Sequence, residues 1–225
     1  MTVLDYEQML EDFYTTLLTR GDVCIDVGAH VGRHTLPIAR CIKPHGKVFG
    51  FEPIPAIFQQ LYSKIDTSPD LASVVRLRQC ALADVAGSTD FVLVHEAPGY
   101  SGLRRRHYDF AVSTETIRVD VLRLDDMLRE IYGVRYIKID CEGGELGVLR
   151  GASNLLRRDR PVISFECGDS SLGSYDYDAG DLFDFLDSRG YDIRSITDVP
   201  LDRSGFVAAS ARQEYWDYLA FPRTS

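Results

Sequence analysis

Val23-Cys-Ile-Asp-Val-Gly-Ala-His-Val-Gly-Arg-His-Thr35 reads as a short apolar strand, a glycine turn and the first turn of a helix. Residues 23–27 have the apolar run of a buried strand, Gly28 and Gly32 bracket a sharp turn, and a helix is expected from about 33 to 42. The pattern then repeats: Lys47-Val-Phe-Gly-Phe51 is a second strand, and Pro53 and Pro55 open a helix carrying Ile57, Phe58, Leu61 and Ile65. Strands alternating with helices predict an α/β fold with a doubly wound, mainly parallel sheet, which binds ligands beyond the carboxyl ends of its strands.

Outward from this unit, Met9, Leu10, Phe13, Leu17 and Leu18 recur at helical spacing, predicting an N-terminal helix over residues 5–18 that packs on the edge of the domain. A third strand is expected at 74–77. Two β-rich runs, 90–95 and 116–122, form an insertion around a polar stretch. Alternation resumes with a strand at 136–139, a helix near 145–156, a strand at 162–165 and a helix near 179–188. Residues 191–196 and 215–221 supply final strands, the last aromatic enough to pair at an edge or insert in the sheet. The organisation expected is one domain over residues 1–225, with 1–20 as a helical extension and about 96–115 as a lid or acceptor loop.

Composition narrows the class of function. The 225 residues are 45% hydrophobic and 26% charged, which is ordinary globular usage. With 25 Lys and Arg against 34 Asp and Glu, the formal charge of -9 disfavours nucleic acid as a partner. No apolar run is long enough to span a membrane, and the N-terminus lacks the basic start and apolar core of a signal peptide. Five scattered cysteines with no CxxC pair fit reduced thiols and a cytoplasmic location. The oligomeric state is left open, a homo-oligomer included.

The turn at 26–32 has the form of a cofactor seat. A dinucleotide fingerprint needs glycine where His30 stands, so that backbone can approach a pyrophosphate. A cofactor with an adenosine and no phosphate has no such need, and a carboxylate after the second strand can grip its ribose hydroxyls. Glu52, 20 positions beyond Gly32, stands there.

Ile25-Asp-Val-Gly-Ala-His-Val-Gly-Arg-His-Thr35, Val48-Phe-Gly-Phe-Glu-Pro53, Cys80-Ala-Leu-Ala-Asp84, Tyr136-Ile-Lys-Ile-Asp-Cys-Glu-Gly-Gly-Glu145, Val148-Leu-Arg-Gly151 and Pro161-Val-Ile-Ser-Phe-Glu166 together resemble the FkbM-type methyltransferases, within the class I S-adenosylmethionine-dependent enzymes. The resemblance covers roughly residues 21–166. It implies a Rossmann-like fold, cofactor contacts from Asp26, Gly28, Glu52 and residues 80–82 (Cys80, Ala81, Leu82), and O-methylation of a small molecule or sugar. Ala29, His30, Gly32, Thr35, Pro53 and Asp140 complete the expected S-adenosylmethionine contacts. The family commonly carries Asn where His30 stands and an aromatic where His34 stands.

For catalysis, Lys138-Ile-Asp140-Cys-Glu142-Gly-Gly-Glu145 gathers three carboxylates just past a buried strand. Methyl transfer to a hydroxyl needs an aligned acceptor and a group that takes its proton. Asp140 is the leading candidate and Glu142 a second, whereas Glu145 is read first as a helix N-terminal carboxylate. His107, in the basic run Arg104-Arg-Arg-His107, is a candidate base on the lid, although a solvated loop is the blander reading. Asp140, Glu166 and Asp169 have the oxygen ligands that Mg²⁺ takes, but a metal is not the favoured reading. Packing or solvent exposure is favoured over metal binding for His30 and His34. Tyr175 and Tyr177 sit in a polar loop that suits a sugar or ordinary surface. The acceptor expected is a small hydroxylated molecule; the alternatives are an NAD(P)-dependent oxidoreductase and a non-catalytic cofactor-binding module.

Overall fold

The computed structural model describes residues 5–108 and 111–224, without the side chains of residues 169 and 170. In chain order the elements are α1 (Tyr6–Leu17), β1 (Val23–Val27), α2 (Thr35–Ile42), β2 (Lys47–Phe51), α3 (Pro55–Asp66), α4 (Pro69–Val74), β3 (Val75–Arg78), β4 (Ala81–Leu82), β5 (Gly87–Val94), β6 (Thr114–Leu122), α5 (Leu124–Met127), β7 (Val134–Ile139), α6 (Glu145–Gly151), α7 (Ser153–Asp159), β8 (Val162–Glu166), α8 (Asp169–Leu172), α9 (Ala179–Ser188), β9 (Tyr191–Ser195), β10 (Pro200–Leu201), α10 (Arg203–Ala211) and β11 (Asp217–Pro222). Among these residues the main sheet has the order β10-β9-β11-β8-β7-β1-β2-β3. β8, β7, β1, β2 and β3 run parallel, and β11 runs antiparallel between β8 and β9. The mainly parallel, doubly wound arrangement expected from the sequence is present.

Strand alternation sends successive side chains into two cores. Ile25, Val27, Ile137, Ile139, Ile163 and Phe165 pack on one face with the helices after β7 and β8. Cys24, Val48, Tyr136 and Val162 pack on the other against Leu10, Tyr14 and Ile38 of α1 and α2. Asp26 and Lys138 are paired directly in the β1–β7 register, and by the same alternation they lie on the α1/α2 face. Asp5 starts α1 by accepting the Gln8 N–H at 3.0 Å, and α9 starts with a reciprocal Asp178–Asp181 capping box.

The β-rich insertion is a separate three-stranded sheet, β4-β6-β5, with β5 and β6 antiparallel. Phe91, Val119 and Val121 of this sheet pack on Ile54 and Ile57 at the start of α3, which holds the insertion over the carboxyl end of the main sheet. Residues 109 and 110 of the expected 96–115 lid lie outside the described residues. Two local expectations are corrected. The helix near 145–156 is two helices, α6 and α7, because Ala152 leaves helical geometry at φ -111° and ψ 14°. Pro53 stays in the loop, with Ile54 as the residue that precedes α3. Of the two placements expected for the C-terminal strand, insertion inside the sheet is the one present. No described helix is long and apolar enough to cross a membrane.

Candidate active site

The carboxyl ends of β1, β2, β7 and β8, the start of β11, the β4 segment and the N-terminal turn of α1 enclose a cavity of about 760 Å³, within the range of sites for small molecules and cofactors. Its first wall is the β1 turn. Gly28 takes φ +76°, and a Cβ on it would overlap the Asp140 carbonyl oxygen, so the β1 and β7 loops touch through bare backbone. Gly28 and Ala29 donate their N–H groups to the Phe51 carbonyl at 3.0 Å each, tying this turn to the end of β2.

The tie orders Glu52. Only 3% exposed, its carboxylate accepts the His30 N–H at 2.9 Å on one oxygen and the Ile54 N–H at 2.8 Å on the other. Each oxygen keeps further acceptor capacity, and the residue lines the cavity. Burial raises its pKa to about 7 even though both backbone donors pull it down. His30 itself takes φ +46°, and its N–H is committed to Glu52. Its imidazole also lines the cavity, and burial lowers its pKa.

Gly28, Ala29, His30, Glu52, Pro53, Cys80, Ala81, Leu82, Asp140 and Glu142, all singled out in the sequence, line the cavity. Three expected contacts are corrected. Asp26, fully buried, lies behind the wall, where it accepts a short hydrogen bond from the Thr35 hydroxyl and sits 3.8 Å from Lys138 Nζ. Thr35 is its buried partner. Gly32 makes room for Leu61 and Leu36. These residues hold the turn in shape and do not reach its cavity side.

At the other end, Lys138 Nζ donates to Asp140 at 3.1 Å. Burial alone would lower the Lys138 pKa, but Asp140 and Asp26 outweigh it and keep the ammonium charged. One oxygen each of Asp140, Glu142 and Glu166 lies within 4.8 Å of the others. Arg106 pairs with Glu142 and stacks 4.9 Å over the Tyr100 ring, so this member of the basic run folds inward. With Lys138 on Asp140 and Arg106 on Glu142, two of the three carboxylates are already neutralised by the protein. The side chain of Asp169, the third oxygen ligand considered from sequence, lies outside the described residues.

Burial, then Asp140, hold the Glu166 carboxyl well above the usual range, and the same causes bring Asp217 to about 7. Glu145 lies under the loop, accepting the N–H groups of Cys141 and Gly143 at 3.0 and 3.2 Å. His107 is exposed and lines no part of the cavity, which corrects its placement as a base facing the acceptor. Tyr175 and Tyr177 are likewise outside it. The Tyr177 hydroxyl donates to the Gly143 carbonyl and accepts the Leu146 N–H, supporting the β7 loop from behind.

Residues missed from sequence come from both ends of the chain. Tyr6, Glu7 and Leu10 of α1 line the cavity, so α1 closes the site and is more than an edge helix. His34 fixes it there: 4% exposed, it contacts Glu7 through Nε2 at 2.8 Å and the Tyr14 hydroxyl through Nδ1 at 3.2 Å. Arg33 adds ion pairs to Glu7 and Glu11. Trp216 and Asp217 arrive because β11 is antiparallel and begins where its neighbours end. Asp217 registers directly opposite Glu166, a pairing that no local pattern announces.

A family profile described as Methyltransferase FkbM domain matches residues 26–193. The chain is 32% identical over 154 residues to Methyltransferase sdnD of Sordaria araneosa, covering 56% of this chain and 59% of that protein. It is 32% identical over 146 residues to the hexuronic acid methyltransferase AglP of Haloferax volcanii, covering 63% and 54%. The chain thus spans less than two thirds of the length of these relatives. Among solved structures, Methyltransferase FkbM from Methylobacillus flagellatus superposes with a TM-score of 0.56 at 18% identity, over 97% of this chain and 55% of that one. The fibrillarin of Aeropyrum pernix, determined with S-adenosyl-L-methionine bound, gives 0.52 at 14% identity, over 95% and 74%. The last two likenesses speak for the class I methyltransferase fold alone. A profile match over most of the chain, on the loops that build the cavity, places this chain in the FkbM methyltransferase family.

Proposed function

We propose that the chain, acting as one domain, transfers a methyl group from S-adenosylmethionine to a hydroxyl of a small polyhydroxylated or natural-product acceptor. The observation that carries this reading is Glu52: a buried carboxylate at the end of β2, oriented by two backbone N–H groups, with acceptor capacity left toward the cavity. The residues fit the cofactor. Glu52 would hold the two ribose hydroxyls, Ala81 and Leu82 flank the apolar slot an adenine needs, and the bare backbone of Gly28 allows close approach of the methionine portion. Names borne by the relatives, a hexuronic acid methyltransferase among them, agree with a small hydroxylated acceptor.

Bound S-adenosylmethionine supplies an electrophilic methyl on a sulfonium. The protein's own work is to align the acceptor, exclude water and accept a proton. Asp140, at the junction of the β1 and β7 loops with Lys138 on one oxygen, would hold the acceptor hydroxyl and take that proton. Glu142, tied to Arg106, shapes the wall. Mg²⁺ is not required by this arrangement, since Lys138 and Arg106 already supply the positive charge. A nicotinamide dinucleotide fits poorly, because the His30 N–H that would face a pyrophosphate is bonded to Glu52. The five free thiols accord with a cytoplasmic setting.

Calorimetric titration with S-adenosylmethionine and, separately, NADH, followed by transfer of labelled methyl to a panel of polyols, tests the reading. Binding of NADH alone would overturn it.

A further inference from the structure

The acceptor end of the cavity carries a charge pattern that limits what can enter. Asp217 and Glu166 face each other across the β11–β8 pair, Asp140 stands on the adjoining strand β7, and Glu7 reaches in from α1. Each cation on this part of the wall is already committed. Lys138 lies between Asp26 and Asp140, Arg33 pairs with Glu7 and Glu11, and His34 is bonded to Glu7 and Tyr14. Among the described residues Glu166 and Asp217 make no ion pair, and desolvation with Asp140 nearby disfavours ionisation of both half-buried carboxyls. Beside them Trp216 leaves 43% of its surface exposed on the cavity wall. An indole face next to hydrogen-bond acceptors suits a ring with an apolar face and hydroxyl or ammonium donors.

We propose that the methyl acceptor is a neutral or amino-bearing sugar-like polyol, that Glu166 and Asp217 accept its hydrogen bonds while Trp216 covers its ring, and that the site rejects the matching uronic acid. This rests on the methyltransferase reading above. The wall has oxygens that accept and no unpaired cation to receive an anion, so a sugar carboxylate entering here gives up water without gaining a counter-charge. A neutral hexose differs from its hexuronic acid only in replacing that carboxylate by a hydroxymethyl group. The pair therefore isolates charge from shape.

The full chain is assayed with labelled S-adenosylmethionine against methyl hexosides, the corresponding amino sugars and the corresponding hexuronides, while S-adenosylhomocysteine binding is measured by calorimetry. The expected kcat/KM for a uronide is at least ~10-fold below that of its neutral partner, since an anion desolvated without a partner costs well over the interval that one tenfold step represents. In Asp217→Asn and Glu166→Gln, each near-isosteric, the ratio narrows because uronide turnover rises, while S-adenosylhomocysteine affinity stays within about threefold. A uronide used as well as its neutral partner overturns the proposal, as does a ratio that both folded variants leave unchanged. Binding of S-adenosylhomocysteine with no sugar methylated overturns the acceptor class and leaves the cofactor reading standing. Failure of S-adenosylhomocysteine to bind overturns the cofactor reading itself.

Discussion

Replacing Glu52 by glutamine keeps the shape of the side chain and removes its charge and one of its acceptors. In the native protein both carboxylate oxygens take a backbone N–H, from His30 at 2.9 Å and Ile54 at 2.8 Å. The new amide nitrogen must face one of these donors, which costs about 1–3 kcal/mol of stability as an unsatisfied buried group. Loss of a carboxylate whose ionisation burial already opposes offsets part of that cost. On the cofactor side, two charge-assisted hydrogen bonds to the ribose hydroxyls at about 1.5 kcal/mol each correspond to a roughly 100-fold rise in Kd. Calorimetric titration of Glu52→Gln with S-adenosylhomocysteine near pH 8, with a thermal melt to show that the variant is folded, measures this.

The pH dependence gives a second, independent readout. Glu52 has a pKa of about 7 in the free protein, raised from the ordinary 4.5, and hydroxyl donors favour its ionised form. Binding therefore expels a proton at low pH, and affinity rises as pH climbs through about 7 and levels off above it. In Glu52→Gln this component of the pH dependence disappears. A folded variant that binds within about threefold of the native protein, with the same pH profile, refutes the assignment of Glu52 to the ribose.

Gly28→Ala puts a methyl group onto the Asp140 carbonyl at a backbone with φ +76°, so the two loops must separate; we expect a loss of about 2 kcal/mol or more in a denaturant titration and a weakened cofactor Kd. His34→Ala opens a cavity under α1 and leaves the buried Tyr14 hydroxyl without its partner; by differential scanning calorimetry Tm should fall by about 4–8 °C for a loss near 2 kcal/mol, and limited proteolysis should cut first in α1. Arg106→Ala strands the Glu142 carboxylate and should destabilise by about 3 kcal/mol, most of it recovered in the double variant with Glu142→Gln, whereas additive losses in that double-mutant cycle would dissolve the pairing.

What the sequence determined is the part written in local pattern. Residues 23–35 could hardly form anything except strand, turn and helix, and Glu52 could be placed at a strand end because Val48 to Phe51 must be a strand and Pro53 must end it. Once a sheet is parallel, its carboxyl ends share one edge, so Gly28, Glu52, Cys80, Asp140 and Glu166 could be grouped without knowing their neighbours. Sequence could not tell which side of the wall a residue faces. Asp26 and Gly32 look like ligand contacts in the motif, yet strand alternation turns Asp26 down onto Lys138, and Gly32 serves Leu61. Nor could it show that α1 returns over the pocket through His34, that Arg106 reaches Glu142, or that an antiparallel β11 brings Asp217 opposite Glu166. Those contacts join residues far apart along the chain, and their geometry comes from register and packing between elements. The strand-end residues of the cavity were therefore legible in the motifs, while the end assembled from α1, β8 and β11 existed only once the chain had folded.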